Sequence, residues 1–263
     1  MPNPIIPWPG GKRRLLKHLY PHFPAHECYV EAFAGGAAAL LMRTNPAPVE
    51  VLNDVNGELV NLYRVVRHHF DEFVRMFRWS LASRQMWEWA KLERPETLTD
   101  VQRAARFFYL QKLAFGGKVS GQSFGYVTTG KGPKIDLTRI GYDLSDAHLR
   151  LANVIIEQGP WRDVVARYDR PHTLHYLDPP YWQTEGYGVE FPFEEYEAIA
   201  DFMRAAAGKV VLSINDHPDI RQVFAGMNII PLQIRYTVGR EGRSDLAGEL
   251  IVKSWADDQA QLL

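Results

Sequence analysis

Short apolar segments alternate with helix-forming segments near both ends of this 263-residue chain. The segment Cys28–Phe33 precedes a glycine pair, Gly35-Gly36, a helix-forming stretch, Ala37–Met42, and a second apolar segment, Val49–Leu52. Strand, glycine turn, helix and strand in this order are typical of the opening of a doubly wound α/β sheet. The alternation therefore predicts the fold class as α/β.

The same alternation returns in the last part of the chain. Apolar segments are separated there by amphipathic stretches, which indicates further strands and helices of one sheet. We predict strands at Asn153–Glu157, Thr173–Leu177, Lys209–Ile214, Ile229–Tyr236 and Glu249–Lys253, and helices at Lys12–Tyr20, Phe193–Ala207 and Pro218–Phe224.

The middle of the chain differs from its ends in charge. Residues 57–145 hold 14 Lys and Arg and 9 Asp and Glu, a local charge of +5 in a chain whose total is −1. A basic segment between two acidic parts of a chain is typical of a local phosphate-binding surface. The alternative is a solvated helix face followed by a polar loop. We expect residues 1–56 and 146–263 to form one catalytic sheet domain and residues 57–145 to form an inserted domain.

The pattern within this insert predicts mainly helices. Amphipathic helices are indicated at Glu58–Trp79 and at Val101–Phe115, with Asp100 as the N-cap of the second. A loop with six glycines follows over residues 115–134. Loops of that length in compact domains are usually functional or mobile.

Composition and motif searches exclude several classes of protein. No apolar run reaches the roughly 18 residues that a membrane-spanning helix needs, and the N-terminus lacks the pattern of a signal peptide. One cysteine, Cys28, excludes an intrachain disulfide framework and a multi-cysteine zinc site. We expect a cytoplasmic protein with no membrane partner and no metal.

The tetrapeptide Asp178-Pro179-Pro180-Tyr181 directly follows the apolar segment Thr173–Leu177. Catalytic groups of open α/β sheets lie at the carboxyl ends of strands. Prolines restrict the backbone and lack an N–H, so the Asp178 carboxylate and the Pro179 carbonyl can both accept from one amino group. Two such acceptors favour a tetrahedral nitrogen with an outward lone pair, and Tyr181 offers a stacking face for a base outside its duplex. The alternative is a strand end with a proline-rich turn.

Four motifs in this order resemble those of the Dam-type (alpha-group) DNA adenine N6-methyltransferases. They are W-P-G-G-K at Trp8–Lys12, E-A-F-A-G-G-A-A at Glu31–Ala38, an aspartate ending the next strand, Asp54, and D-P-P-Y, which an insert precedes. The resemblance covers essentially the whole chain. It implies a Rossmann-like methyltransferase sheet, S-adenosylmethionine as cofactor with S-adenosylhomocysteine as product, and a DNA-recognition role for the insert.

The resemblance also implies roles for the motif residues. Asp178, Pro179 and Tyr181 would be catalytic and would hold the target adenine. Asp54 would accept hydrogen bonds from ribose hydroxyls, and Trp161 would lie beside the adenine ring of the cofactor. The full set of implied cofactor-binding residues is Trp8, Lys12, Phe33, Ala34, Gly35, Asp54, Trp161 and Asp178.

The glycine-rich loop and a loop between the closing strands carry the predicted DNA contacts. Lysines suit phosphates, which position a protein on DNA without reading its sequence. Amide, hydroxyl and aromatic side chains suit base edges and the space that a departing base leaves. The predicted residues are Lys118, Gln122, Ser123, Phe124, Tyr126, Lys131, Lys134, Arg240 and Arg243. The alternative is a glycine-rich hairpin whose aromatic rings pack on its own helices.

The sequence thus predicts site-specific transfer of a methyl group to N6 of an adenine flipped out of double-stranded DNA. The expected protein is a monomer in a bacterial or phage-infected cell, and a cognate restriction enzyme stays an open partner. One alternative is N4-cytosine methylation, where the related motif more often begins with Ser than with Asp. Another is a catalytically weak DNA-binding regulator that retains the cofactor pocket. Ala37-Ala38, where the family usually has Gly and Ser, favours that alternative.

Overall fold

The computed structural model of the protein describes residues 2–125, 135–184, 186, 188–236 and 245–256. Within these ranges seven strands form a single sheet. They are β1 (Cys28–Glu31), β2 (Val49–Asp54), β3 (Ile155–Gln158), β4 (Thr173–Leu177), β5 (Lys209–Asn215), β6 (Asn228–Tyr236) and β7 (Asp245–Lys253). The strand order across the sheet is β3-β2-β1-β4-β5-β7-β6.

The order of the strands creates a switch point at the middle of the sheet. Strands β1 to β5 are parallel, whereas β7 runs antiparallel between β5 and β6. The chain moves outward from β1 to β2 and β3, and then returns to β4 on the other side of β1. At such a reversal the connections leave in opposite directions and open a crevice at the carboxyl ends of the strands. The predicted α/β sheet is confirmed.

Ten α-helices lie in the described ranges and cover both faces of the sheet. They are α1 (Leu16–Leu19), α2 (Ala38–Leu41), α3 (Gly57–His68), α4 (Phe70–Arg75), α5 (Arg84–Leu92), α6 (Asp100–Leu113), α7 (Ile140–Leu151), α8 (Trp161–Tyr168), α9 (Phe193–Ala205) and α10 (Pro218–Val223). None of them combines the length and the apolar character that crossing a membrane requires.

Three helix predictions are wrong in detail. The predicted helix Lys12–Tyr20 is a 3₁₀ turn at Lys12–Arg14 followed by the four residues of α1. The predicted helix Glu58–Trp79 is divided at His69, whose backbone angles of φ −129° and ψ 42° end α3 before α4 begins. The N-cap of α6 is Thr99 and not Asp100. Thr99 and Gln102 form a capping box, in which the Gln102 side chain accepts from the Thr99 N–H at 2.9 Å and the Thr99 hydroxyl accepts from the Gln102 N–H at 3.4 Å.

Alternate residues of the strands enter two hydrophobic clusters on opposite faces of the sheet, because successive side chains of a strand point to opposite faces. Tyr176 belongs to the first cluster, which extends into α3 and α6 and includes Trp87 of α5. Leu177 belongs to the second, which packs against α8, α9 and α10. The division of the chain into a sheet domain and an insert at residues 57–145 stays a prediction.

Candidate active site

A cavity of about 1110 Å³ opens at the carboxyl ends of β1, β2, β4 and β5. The structure brings nine of the predicted residues to its wall. They are Trp8, Lys12, Phe33, Ala34, Gly35, Asp54, Trp161, Asp178 and Tyr181. Pro179 is buried, and its neighbours Asp178 and Pro180 line the cavity on either side of it.

Asp178 leaves the end of β4 and forms a buried ion pair. The Lys12 ammonium lies 2.8 Å from Oδ1 of Asp178 and also donates to the Gly10 carbonyl at 2.8 Å. The Ser213 hydroxyl donates to the same Oδ1 at 3.0 Å. Burial raises the pKa of Asp178, and the charge and hydrogen bond of Lys12, together with the Ser213 hydrogen bond, act in the opposite direction.

Three side chains, those of Asp54, Tyr63 and Trp8, contact the glycine turn after β1. Gly35 has φ +46° and donates its N–H to Oδ2 of Asp54 at 3.0 Å, while Oδ1 of Asp54 accepts from the Asn56 N–H at 2.9 Å. The Tyr63 hydroxyl donates to the Gly35 carbonyl at 2.5 Å. A Cβ atom on Gly35 would lie 2.6 Å from Cδ1 of Trp8. The turn therefore requires glycine here, both for its backbone conformation and for the close approach of the indole.

Aromatic side chains line the end of the cavity beyond this turn. The ring centroid of Phe33 lies 6.1 Å from that of Trp161 and 5.7 Å from that of Phe191. The Trp161 indole N–H donates to Oε2 of Glu195 at 2.7 Å, which fixes the plane of the indole. Flat apolar walls with a carboxylate at the edge suit a planar heterocycle that carries N–H or O–H donors.

Tyr181 is held by a carboxylate that the sequence did not reveal. Its hydroxyl donates to Oε2 of Glu249, a buried residue of β7, and the Lys12 ammonium lies 4.4 Å from the centroid of its ring. The adjoining backbone is fixed by Asn215, whose side chain accepts from the Trp182 N–H and donates to the Trp182 carbonyl, both at 3.0 Å. The residues after β4 are thus tied to β5 and β7.

Glu31 at the end of β1 is a further buried acid beside the site. It is 2% exposed, lines the cavity and accepts from the Tyr29 hydroxyl at 3.0 Å. Burial raises the pKa of Glu31 to about 8, and the charge of Asp178 acts in the same direction. Burial and the charge of Asp178 thus both disfavour a second ionised carboxylate here, and Asp178 is the carboxylate that pairs with Lys12.

Two of the three polar residues that sequence reasoning missed share one signal. Ser213 and Asn215 interrupt the apolar run of β5 near its carboxyl end, and in an α/β sheet that position faces the site. Glu249 carried no comparable signal, because its place opposite Asn215 depends on the antiparallel register of β7 with β5.

The described part of the predicted DNA loop packs on the protein itself. Phe124 lies edge-on to Trp87 with ring centroids 5.9 Å apart, and the Arg84 guanidinium lies 4.8 Å from its ring. The Gln122 amide donates to Oε1 of Gln111 and to the Lys118 carbonyl, both at 2.8 Å. Both side chains are engaged within the protein, as the hairpin alternative expects, and the contact of Phe124 and Gln122 with DNA stays a prediction.

Lys118 and Ser123 are exposed and available to a partner. The Ser123 carbonyl accepts from the Phe115 N–H at 2.8 Å, which closes the base of this loop. The other predicted DNA contacts, Tyr126, Lys131, Lys134, Arg240 and Arg243, lie outside the described residues.

The sheet order and the cavity at its switch point define the class of protein, a doubly wound α/β protein with a ligand site at the carboxyl ends of its strands. The family model of the D12 class N6 adenine-specific DNA methyltransferases matches residues 8–238. The chain belongs to that family. Its reaction is methyl transfer to N6 of adenine in DNA, which confirms the prediction, and neither cytosine methylation nor an inactive regulator is favoured.

Named relatives agree with the family. The Type II methyltransferase M.CviBI of Paramecium bursaria Chlorella virus NC1A is 27% identical, with 96% of this chain and 100% of the relative covered. The DNA adenine methylase of Salmonella typhi is 27% identical over 67% of this chain and 64% of the relative. The DNA N-6-adenine-methyltransferase of Escherichia phage P1 is 27% identical over 90% of this chain, which spans 33% of that longer protein.

Proposed function

We propose that this protein takes the methyl group from S-adenosylmethionine and that the target adenine enters the cavity after it leaves the DNA stack. Asp178 and Pro179 accept the two hydrogens of the N6 amino group, and Tyr181 stacks on the base. The observation that carries this assignment concerns Asp178. Within the described ranges its hydrogen bonds end on Oδ1, so Oδ2 is available as an acceptor for the amine.

The size and the lining of the cavity support the proposed cofactor. Phe33 and Trp161 offer an aromatic wall for its adenine, and Asp54 lines the same cavity. The volume of about 1110 Å³ exceeds what one small ligand needs, so it leaves room for a base beside the cofactor. S-adenosylmethionine supplies a methyl group on a positively charged sulfur.

The residues of the protein act mainly by position and charge. The exocyclic nitrogen of adenine is a weak nucleophile because its lone pair is delocalised into the ring. Hydrogen bonds to Oδ2 of Asp178 and to the Pro179 carbonyl localise this lone pair and direct it toward the methyl carbon. The bond from N6 to carbon forms as the bond from sulfur to carbon breaks, and N6 then loses one proton to water.

The partner in this proposal is double-stranded DNA, contacted in part by Lys118. The match to a family of DNA methyltransferases and the local charge of the middle of the chain support it. We keep a monomeric protein and a cognate restriction enzyme as further predictions. Sequencing methylated DNA from cells that express the protein would identify the recognition site.

The direct test is methyl transfer from radioactive S-adenosylmethionine to duplex DNA, followed by digestion to nucleosides. The wild-type protein should label N6-methyladenine. Asp178→Ala should abolish labelling and keep measurable binding of duplex DNA and S-adenosylhomocysteine. Asp146→Ala, which removes an exposed carboxylate of α7, is the matched control and should behave like the wild type. Near wild-type transfer by Asp178→Ala, or label in N4-methylcytosine, would overturn the proposal.

A further inference from the structure

We propose that Ser213 is a positioning residue for the reaction, acting through the carboxylate of Asp178, and that Tyr176 supports it from behind. This inference rests on the proposed function of Asp178. Neither Ser213 nor Tyr176 lines the cavity, so neither is expected to touch the substrate. Their effect must therefore pass through Asp178.

The three side chains form a continuous hydrogen-bonded chain between neighbouring strands. Oγ of Ser213 lies 3.0 Å from Oδ1 of Asp178 and 2.8 Å from the hydroxyl of Tyr176. Ser213 is 0% exposed and Tyr176 is 1% exposed. Water is thus excluded from the two hydroxyls, and each of them depends on its partner in the protein.

The protonation state of Asp178 sets the direction of these hydrogen bonds. An ionised carboxylate only accepts, so the single hydroxyl hydrogen of Ser213 points to Oδ1. The Ser213 oxygen is then the acceptor for the Tyr176 hydroxyl. Both donors point toward Asp178, and this arrangement favours the ionised carboxylate over the neutral one.

The same contacts set the orientation of the carboxylate. Ser213 reaches Oδ1 from β5, and the Lys12 ammonium reaches the same oxygen from the N-terminal segment at 2.8 Å. Two donors on one oxygen hold the side chain in a single rotamer. They turn Oδ2 toward the position that the adenine amine takes in the proposed reaction. Loss of either donor should let the carboxylate rotate.

The surroundings of Asp178 make these donors necessary. Besides Lys12, the acids Glu31 of β1 and Tyr176 of β4 interact with it, and the charge of Glu249 of β7 acts on Tyr176. Burial raises the pKa of Asp178, and the hydrogen bond from Ser213 lowers it. Removing this bond should therefore raise the pKa further and leave less of the ionised form at a given pH.

The test is the rate constant of single-turnover methyl transfer, measured as a function of pH. Ser213→Ala should lower the rate constant by about 10- to 100-fold, the usual effect of a hydrogen bond to a charged group. The acid limb of the pH–rate profile, where the rate constant falls as Asp178 takes up a proton, should move to higher pH in this variant. Ser213→Thr keeps the hydroxyl and should keep the wild-type acid limb. Tyr176→Phe should shift the limb in the same direction by a smaller amount.

Thr173→Val is the matched control. It removes a buried hydroxyl of β4 that donates to the Tyr168 carbonyl at 2.8 Å, at the opposite end of the strand from Asp178. Its acid limb should coincide with that of the wild type. If Ser213→Ala does not fold, the shift in Tyr176→Phe decides the question.

The outcomes separate this inference from the proposed function. If the wild type is active and the acid limb of Ser213→Ala is not shifted, the positioning role is refuted, whatever the rate constant. A merely structural defect can lower the rate constant but leaves the acid limb in place. A wild type that makes no N6-methyladenine would refute the proposed function instead. Carbon-13 NMR of the Asp178 carboxyl then tests the hydrogen-bonded chain directly, since its pKa must be higher in Ser213→Ala than in the wild type.

Discussion

Replacing Lys12 by methionine tests the buried ion pair on which the site depends. The Lys12 side chain is 6% exposed, that of Asp178 is 18% exposed, and Nζ lies 2.8 Å from Oδ1. Removing one partner of a buried pair costs about 3–5 kcal/mol, because the other charge stays buried without compensation. Asp178 can limit this loss by taking up a proton. For a carboxyl with an ordinary pKa, that step costs roughly 4 kcal/mol at pH 7. We expect a loss of about 3–4 kcal/mol in the free energy of unfolding.

The loss should depend on pH with a defined sign. Burial already raises the pKa of Asp178 in the folded protein, and without Lys12 it rises further above its unfolded value. The folded variant therefore binds a proton that the unfolded chain releases, so its stability increases as the pH falls. The difference in unfolding free energy between wild type and Lys12→Met should be largest near pH 8 and smaller at pH 5.

Urea unfolding followed by tryptophan fluorescence at pH 8 and pH 5 measures this difference. Lys17→Met is the control, because Lys17 is an exposed lysine of α1 in the same segment, and it should change stability little at either pH. The double variant with Lys12→Met and Asp178→Asn removes both charges and should regain stability relative to Lys12→Met. An equal loss at both pH values, or a double variant as unstable as Lys12→Met, would refute the reasoning.

Three further predictions concern the donor site and the sheet. Gly35→Ala should lower the free energy of unfolding by about 1–2 kcal/mol, because Gly35 has a left-handed backbone conformation. It should also weaken S-adenosylhomocysteine binding in calorimetry, because the added Cβ would lie 2.6 Å from Trp8. Gly36→Ala is the control and should bind normally, because its Cβ would lie 3.4 Å from the nearest atom. Trp161→Ala should weaken S-adenosylhomocysteine binding about 10-fold, because the aromatic wall is lost. An unchanged affinity would mean that the cofactor does not bind against Trp161. Burial lowers the pKa of His175 from 6.5 to about 4. The free energy of unfolding of the wild type should therefore fall by about 3 kcal/mol as the pH drops from 6.5 to about 4. In urea unfolding, His175→Leu should abolish this dependence.

The sheet was predictable because each of its central strands carries its own signal. The run Thr173–Leu177 is mostly apolar and is buried at every position, as central strands of a parallel sheet are. The division at His69 was not predictable, because apolar residues continue at helical spacing across it. The chain turns there so that Phe73 of α4 can pack against Phe108 of α6, a contact between residues far apart in sequence.

The motif residues of the site were predictable, but most of their partners were not. Asp178, Lys12 and Gly35 lie in recognisable motifs, and the structure places all three on one cavity. The contacts of Asp178 with Ser213, and of Tyr181 with Glu249, join strands whose pairing register no local pattern reveals. Sequence thus indicates which groups react, whereas the arrangement that holds them depends on how the strands align.

The arrangement of donors in this site bears on which bases it can accept. The donors near Asp178 are already directed inward: Lys12 and Ser213 bind Oδ1, and the Tyr181 hydroxyl binds Glu249. In the proposed mechanism a bound base therefore meets acceptors, Oδ2 of Asp178 and the Pro179 carbonyl. A base with an exocyclic amino group can satisfy both, whereas the O4 keto oxygen of thymine would face two acceptors and lose its hydrogen bonds to water without replacement. Selection of an amine over a keto group thus follows from the hydrogen bonds that the protein makes with itself.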